Sequence, residues 1–189
     1  MIFATRSSDC RLFLVLASLL GLAACSSGPK LYTNQNPSAR FSEYKTYGFA
    51  QPLGTDKSEY SSFLSQYLTN AVSRELDARG YVMSDEPDIS VNFFVNTKEK
   101  IRATQSPAAG GYYSYRRGYY DPWGGYETRV DQFTEGTLTV DLVDTQANQL
   151  VWEANLVGRV REEARENLEA AIDQAISTVF ADYSYRGAE

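Results

Sequence analysis

GTLTVDLVDTQANQLVWEANLVGRV, residues 136–160, contains two runs in which apolar and polar side chains alternate around a short polar turn. Alternation with a period of two is typical of a β-hairpin that buries one face. If Asp144 lies opposite Leu150, the apolar positions of the two strands face one another. The predicted pairs are Leu142 with Trp152, Val140 with Ala154 and Leu138 with Leu156. A shift of one residue would oppose apolar to polar positions throughout, so the register is strongly specified.

Two further strands are predicted upstream of this hairpin. Residues 41–50 are rich in aromatic side chains, and residues 89–95 place four apolar side chains on one face. The charged run Lys98-Glu-Lys100 is expected to mark the solvated end of the second strand. Residues 31–33 offer a short additional edge strand as an alternative to an unstructured tether.

A first amphipathic helix is predicted between these strands, with apolar residues at steps of three and four from Tyr60 to Leu76. Asp56-Lys-Ser-Glu59 has the form of a capping box, which indicates that the helix begins there. Gly80 is placed to end it in the left-handed conformation.

The last element repeats the helical pattern from Leu168 to Tyr183, with Asn167 as its candidate N-cap or with a start near Arg161. The element order is therefore β-α-β-β-β-α. This order predicts an α+β two-layer sandwich, with a mostly antiparallel sheet of four or five strands and both amphipathic helices on one face.

The amino terminus has the features of a lipoprotein signal peptide over residues 1–24. Two arginines precede an apolar run of eleven residues, Leu12 to Leu22, which is too short to span a bilayer. Leu22-Ala-Ala-Cys25 resembles the bacterial lipobox, in which the cysteine is acylated and becomes the first mature residue. Residues 25–40 then read as the lipidated cysteine and a polar tether, followed by a single domain over residues 41–189.

This anchor defines the expected location of the protein. Acyl chains on Cys25 would attach the chain to a membrane without a membrane-spanning helix. Ser26 after the cysteine favours the outer membrane by analogy with enterobacterial lipoproteins. The expected location is therefore the periplasmic side of the bacterial outer membrane.

The composition excludes several classes of function. The 189 residues include no His and only two Cys, so Ser-His-Asp and Cys-His nucleophiles are absent and the commonest metal ligand is missing. A net charge of −6 argues against a nucleic-acid partner, because phosphate binding needs a basic surface. No cofactor or metal is expected, and the protein is expected not to be an enzyme.

The segment 106–127 has an unusual composition for a loop inside a domain. Five glycines are interleaved with aromatic side chains and an arginine pair. Tyrosine and tryptophan offer flat faces with a polar tip, which suit stacking on sugars or contact with protein. The alternative is a passive excursion whose aromatics fold back on the domain. The candidate contact residues are Tyr112, Tyr113, Tyr115, Arg116, Arg117, Tyr119, Tyr120, Trp123 and Tyr126.

Other polar clusters are interpreted structurally. Asp141 is expected on the outward strand face, and Asp144 opens a turn, where aspartate commonly bonds its own backbone. The glutamates of residues 162–169 fit a solvated helix face with local ion pairs, and Trp152 fits the core.

With these elements in place, the chain resembles the bacterial envelope lipoproteins grouped as domain of unknown function 4136. The similarity is carried by Phe41-Ser-Glu-Tyr-Lys-Thr-Tyr-Gly-Phe49, Leu76 with Arg79-Gly-Tyr81, Pro87-Asp-Ile-Ser-Val91, and Gly136-Thr-Leu-Thr-Val-Asp-Leu-Val-Asp144 with Leu150-Val-Trp152. The resemblance implies an α+β periplasmic domain on a lipid anchor and supplies no catalytic residues.

The predicted function is that of a non-enzymatic binding or assembly module of the envelope, attached to the membrane through lipidated Cys25. Its expected partner is an envelope protein or peptidoglycan. Two alternatives stay open: a structural lipoprotein with a passive loop, and a carboxylate-dependent glycan hydrolase with two acidic groups in a cleft.

Overall fold

Six strands form one sheet in the computed structural model, which describes residues 28–56, 61–107 and 126–188. The strands are β1 (Lys30–Gln35), β2 (Thr46–Phe49), β3 (Val82–Met83), β4 (Ile89–Pro107), β5 (Tyr126–Asp144) and β6 (Gln149–Arg159). Their order across the sheet is β1-β6-β5-β4-β2-β3. Pairing is antiparallel from β1 to β4 in that order, whereas β2 runs parallel to both β4 and β3. The α+β class is confirmed, but the expected four or five strands are wrong because the sheet has six.

Two strands are additional to the predicted β-α-β-β-β-α order, and they lie at the two edges of the sheet. Strand β3 was not predicted at all, whereas β1 was the optional fifth strand. Strand β1 pairs with β6 from Lys30 opposite Val157 to Gln35 opposite Trp152. The polar tether predicted over residues 25–40 is therefore wrong from Lys30 onward, and the alternative of an edge strand is confirmed. The sequence Lys-Leu-Tyr-Thr-Asn-Gln alternates only weakly, because an edge strand at the rim of the core buries little on either face.

Three helices accompany the sheet in the described residues: α1 (Phe63–Asp77), α2 (Glu162–Glu166) and α3 (Leu168–Phe180). Asn167 caps α3 by accepting a hydrogen bond from the Ala170 N–H at 3.3 Å, as predicted. The short α2 occupies the stretch in which the alternative start was placed, so the predicted pair of helices becomes three.

The start of α1 differs from the prediction. Ser62 is its N-cap, and its hydroxyl accepts from the Ser65 N–H at 3.0 Å. The Asp56 carboxylate instead accepts from the Leu53 N–H at 3.0 Å and closes a turn ahead of the helix. The predicted end is confirmed, since Gly80 has φ 87° and the Gly80 and Tyr81 N–H groups bond back to the last turn.

One face of the sheet carries the core. Buried side chains of β2, β4, β5 and β6 form a single hydrophobic cluster with those of α1 and α3. Trp152 lies within it, with 3% of its surface exposed, as expected for a core residue. The strands contribute every second residue to this core, and the helices contribute every third or fourth. This is the physical reason for the apolar repeats of two and of three to four in the sequence.

The predicted β5–β6 register is confirmed at Leu138–Leu156, Val140–Ala154 and Leu142–Trp152. It shifts beyond Leu142, where Val143 pairs with Leu150 and Asp144 with Gln149 instead of Leu150. The bulge leaves Val151 as the additional residue on β6. The turn can be one residue shorter than expected because Asn148 adopts a positive φ of 52°.

Candidate interaction site: the projecting ribbon

The antiparallel pair β4–β5 extends far beyond its neighbours in the sheet. Its 19 residue pairs run from Ile89 opposite Asp144 to Pro107 opposite Tyr126. Strand β6 pairs with β5 only from Glu135 onward, and β2 pairs with β4 only at its first residues. Residues 99–107 and 126–134, here called the ribbon, lie beyond these neighbours and pair with each other; at the base of the ribbon the Val160 N–H also donates to the Thr134 carbonyl at 2.9 Å. At about 3.3 Å per residue the ribbon is roughly 26 Å long.

The sequence did not predict this ribbon. Lys98-Glu-Lys100 was expected to end the strand, whereas β4 continues to Pro107. Residues 106, 107, 126 and 127 of the predicted loop belong to β4 and β5, and residues 108–125 lie outside the described residues. On both faces the side chains of residues 99–106 and 127–132 are exposed, so no buried face imposes the alternation from which strands are recognised.

The two faces of the ribbon differ in chemistry. The inner face continues the core side of the sheet and carries Ile101 and Val130, which are 72% and 61% exposed. Its only charged side chain is Glu99, which accepts a hydrogen bond from the Thr134 hydroxyl at 2.8 Å. By strand alternation, the full inner face consists of Glu99, Ile101, Ala103, Gln105, Thr128, Val130, Gln132 and Thr134.

The outer face is charged. Arg102 lies opposite Asp131 across the two strands. Lys100 reaches past the base of the ribbon to Glu135, with 3.2 Å between Nζ and Oε1. The full outer face consists of Lys100, Arg102, Thr104, Ser106, Glu127, Arg129, Asp131 and Phe133. The ribbon is thus amphipathic. Helix α2 contacts its inner face at the base, where Arg165 donates to the Thr134 hydroxyl at 3.3 Å.

Most of the predicted contact residues lie outside the described residues, as does Cys25. This applies to Tyr112, Tyr113, Tyr115, Arg116, Arg117, Tyr119, Tyr120 and Trp123. Tyr126 is the first residue of β5, paired with Pro107. The segment that bears the candidate residues therefore leaves and re-enters the described chain at the far end of the ribbon.

The described chain begins at the same end of the sheet from which the ribbon projects. Pro29 lies beside Gly158, so close that a Cβ on Gly158 would be 3.0 Å from the Pro29 Cβ. Gly158 in turn pairs with Gly136 of β5. Cys25 precedes Pro29 by four residues in the sequence and lies outside the described residues.

A cavity of about 520 Å³ lies at the opposite end of the sheet and is lined by Tyr44, Asp88 and Asp144 among others. The Asp88 carboxylate accepts from the Lys45 N–H at 2.8 Å and from the Thr46 N–H at 2.9 Å. Burial raises the pKa of Asp88, but hydrogen bonds to its ionised form outweigh burial and lower the pKa overall. This carboxylate holds the chain before β2 against the turn that leads into β4.

Asp144 has a similar structural role in the same cavity. Its carboxylate accepts from the Ala147 N–H at 2.7 Å and from the Tyr44 hydroxyl at 2.8 Å. The Ala147 hydrogen bond is the main reason that its pKa is lowered. Burial, together with this bond to Asp144, raises the pKa of Tyr44 to about 12. The turn interpretation of Asp144 is confirmed.

Asp141 is the carboxyl group with the most unusual surroundings in the described part of the chain. It lies on the sheet face opposite the helices, directly across from Glu153 on β6 and Asn92 on β4. Its Oδ1 atom is buried without a hydrogen-bond partner among the described residues. Burial, and secondly the charge of Glu153, raise the pKa of Asp141 to about 6. The predicted pairs Val140–Ala154 and Leu142–Trp152 already place Asp141 opposite Glu153, so the sequence contained this signal.

Within residues 28–56, 61–107 and 126–188, no three acidic or cysteine side chains are grouped so that they could hold a metal ion. In the same ranges no helix is both long enough and apolar enough to cross a membrane.

A six-stranded, largely antiparallel sheet with two long helices on one face and a projecting ribbon defines a small α+β domain. The chain belongs to the family described as domain of unknown function DUF4136, which matches residues 31–184. This match confirms the resemblance drawn from the sequence.

Two solved structures resemble this chain at low identity, and of these two the first has a TM-score above 0.5. A PDZ domain protein from Parabacteroides distasonis is 12% identical with a TM-score of 0.52, over 85% of this chain and 38% of that one. The PelC dodecamer from Paraburkholderia phytofirmans has a chain that is 14% identical with a TM-score of 0.47, over 84% of this chain and 99% of that one. The chain thus spans well under half of the PDZ protein, and the likeness concerns the fold alone. The comparison with curated proteins gave no match.

Proposed function

We propose that the protein is a lipid-anchored binding module of the bacterial envelope, held by acylated Cys25 on the periplasmic side of the outer membrane. It contacts another envelope component, a protein or peptidoglycan, through the far end of the ribbon. The observation that carries this proposal is the ribbon itself, which extends beyond the rest of the fold.

The ribbon contributes nothing to the described core. A two-stranded ribbon is marginally stable in water, and ordering each residue costs about 1–2 kcal/mol of backbone entropy. At the base of the ribbon Phe133 is half-buried, with the Arg159 guanidinium 4.6 Å from its ring centroid. Residues 99–106 and 127–132 bear the cost with exposed side chains. Such a projection is expected where a protein reaches toward a partner.

The chemistry expected at the end of the ribbon supports recognition. Tyrosine and tryptophan supply flat contact surface with a hydrogen-bonding tip, and arginine meets anionic groups with a planar fork. The sequence between Pro107 and Tyr126 is unusually rich in both, including Trp123 and the pair Arg116-Arg117.

A binding role is favoured over the glycan hydrolase. A hydrolase of that kind needs a carboxyl group with a raised pKa inside a cleft as its general acid. Asp88 and Asp144 line the cavity, but their pKa values are lowered and their oxygens hold backbone N–H groups. Asp141 has a raised pKa but does not line that cavity.

Photo-crosslinking in intact cells tests the role of the loop. A photoreactive residue is placed at Tyr113 or Tyr120, and at Ser177 on the exposed side of α3 as the matched control. Discrete adducts from the two loop positions and none from Ser177 are expected. The same partners recovered by general crosslinking after residues 110–125 are replaced with a short Gly-Ser turn would refute the binding role and leave the passive structural lipoprotein.

Metabolic labelling with palmitate tests the anchor separately. The wild-type chain is expected to be labelled and to fractionate with outer membranes, whereas Cys25→Ala is not labelled. An unlabelled wild-type protein would refute the anchor.

A further inference from the structure

Strand β1 forms one edge of the sheet, and its outer side has unused backbone hydrogen-bonding groups. The Asn36 N–H, just after β1, donates to the Val151 carbonyl of β6 at 2.9 Å. In an antiparallel pair, residues that bond the neighbouring strand alternate with residues whose N–H and C=O point away from it. The groups on the free side of β1 are therefore those of Leu31, Thr33 and Gln35, and no described backbone group pairs with them there. This edge can accept another strand.

Two other edges in the described part of the sheet are less suited to pairing with a copy of themselves. Strand β3 has only two residues. The free edge of β4 carries Lys98, Lys100 and Arg102 on one face, so two such edges would bring like charges together. Strand β1 has a single charged side chain, that of Lys30, and is free of this conflict.

The side chains of Lys30, Tyr32 and Asn34 lie on the sheet face opposite the helices. Tyr32 is 54% exposed, which is unusual for a large aromatic side chain in a sheet. Lys30 is also exposed, and it forms no ion pair within residues 28–56, 61–107 and 126–188. The edge thus presents an aromatic ring and an unpaired cation side by side.

The same face carries a row of acidic side chains that lacks a cation. Asn34 lies opposite Glu153 of β6, and Glu153 lies opposite Asp141 of β5. Asn92 of β4 completes the row. Neither carboxyl group forms an ion pair with a described residue. Because the row reaches the free edge at Asn34, a cation brought to that edge would lie close to both acidic groups.

We propose that the free edge of β1 pairs with the same edge of a second copy of this chain, antiparallel and about a twofold axis at Tyr32. Leu31 of each copy then lies opposite Thr33 of the other, and their N–H and C=O groups bond one another. The two sheets join into one continuous sheet with both helix layers on the same side. Lys30 of each copy lies opposite Asn34 of the other.

Charge complementarity favours this register. Lys30 is in line with Asn34 and Glu153 of the second copy, and two strand spacings, about 10 Å, separate the Cα atoms of Lys30 and Glu153. Extended lysine and glutamate side chains can bridge this span past the shorter asparagine. Symmetry repeats the contact, and the two Tyr32 rings meet as a cross-strand pair at the axis. A register centred on Thr33 would lose both the charge contact and the ring pair.

Disulfide trapping tests the pairing, since an edge of six residues predicts a weak dimer. Tyr32→Cys places one thiol from each copy at the axis, where the Cα atoms are about 4.5 Å apart, within the range that a disulfide spans. Asn34→Cys is the matched control, because Asn34 is exposed on the same face of the same strand. Its two copies would be about 14 Å apart. Wild type, with the same Cys10 and Cys25, is the blank.

After oxidation of the purified full-length chains with copper phenanthroline, Tyr32→Cys is expected to give about fivefold more linked dimer than Asn34→Cys. Equal yields from the two variants, or a yield at position 32 no higher than that of wild type, would overturn the proposal.

Exchange of the two charges tests the contact between Lys30 and Glu153. Lys30→Glu and Glu153→Lys each turn two attractive contacts into repulsive ones, so each variant alone is expected to dimerise about tenfold more weakly than wild type. A mixture of the two variants should recover the association, because every residue at position 30 then meets an opposite charge at position 153. Arg129→Glu on the ribbon makes the same change in net charge as Lys30→Glu and should leave association unchanged.

Sedimentation equilibrium measures these differences. A wild-type chain that stays monomeric and cannot be trapped would overturn the proposal and leave Lys30 as a charge that guards the edge against pairing. A mixture that associates no better than the single variants would also overturn it. Neither result bears on the anchor at Cys25 or on partner contact through the ribbon, which palmitate labelling and photo-crosslinking test separately.

Discussion

Asp141 and Glu153 lie directly opposite each other on β5 and β6, so two acidic side chains meet on the sheet face that the helices leave uncovered. The Glu153 carboxylate is supported by Asn155 Nδ2 at 2.7 Å and Asn34 Nδ2 at 3.3 Å. Asp141 has no such donor among the described residues for its buried oxygen. Ionisation of Asp141 in the folded protein is therefore unfavourable.

Asp141→Asn is expected to stabilise the fold at pH 7–8 by about 1–2 kcal/mol. A folded-state pKa of about 6 against 3.8 corresponds to about 3 kcal/mol. Partial exposure of the side chain reduces this figure. Because the folded pKa is raised, wild-type stability rises as the pH falls through 6 and levels off below about 4, so the advantage of the variant shrinks over that range. Urea unfolding at several pH values measures it, with the exposed Asp85→Asn as the control. No pH dependence of the difference would contradict this account.

Tyr183→Phe is expected to destabilise the fold by about 1–3 kcal/mol, because it leaves the buried Tyr81 hydroxyl without its partner. The two hydroxyl oxygens are 2.9 Å apart, and both side chains are at most 3% exposed. The double variant with Tyr81→Phe should lose less than the sum of the two single variants, as a double-mutant cycle on unfolding free energies would show. Additive losses would exclude coupling through this hydrogen bond.

Gly80→Ala is expected to destabilise by about 1–2 kcal/mol through backbone conformation alone. Gly80 has φ 87°, yet nothing lies within 4 Å of the position that a Cβ would occupy. Gly80→Asn is the matched variant, since asparagine tolerates the left-handed region better and should lose less. Equal thermal unfolding midpoints for the two variants would argue that steric contact, and not φ, determines the loss.

Asp88→Ala is expected to cost about 2–3 kcal/mol at pH 7, because it removes the acceptor for the Lys45 and Thr46 N–H groups and the Thr46 hydroxyl. The folded pKa of Asp88 is lowered, so its contribution is present above pH 3.8 and is lost as the pH falls through the folded pKa. The stability difference from wild type, measured by urea unfolding, should therefore fall below pH 4. A difference that persists unchanged at pH 2 would indicate a role independent of charge.

Much of the fold could be predicted where burial imposes a pattern. The β5–β6 register followed from the apolar faces around Trp152, and Gly80 marked the end of α1. The predictions were wrong where the local sequence allows two structures. Asp56 and Ser62 are both acceptable caps; in the structure Asp56 closes a local turn with the Leu53 N–H, and Ser62 caps the helix. The bulge at Val151 depends on the positive φ of Asn148, which apolar alternation does not report.

The candidate site was harder to predict because it is largely solvent-exposed. When both faces of a ribbon are solvated, its sequence does not alternate between apolar and polar residues. Lys98-Glu-Lys100 was therefore interpreted as the end of a strand. The composition of residues 106–127 singled out this region, but it contained no information on the long antiparallel pair of β4 and β5 next to it. The position of Pro29 beside that pair follows from the pairing of β1 with β6, which joins distant parts of the sequence.

That pairing also affects how the chain is made. Asn34 of β1 and Glu153 of β6 contact each other across 119 residues, so the strand synthesised first must wait for the strand synthesised nearly last. Contacts of such separation form slowly, because a long loop must close before they become favourable. During synthesis, β1 therefore has no partner strand until β6 has left the ribosome, and the edge of the sheet is completed last.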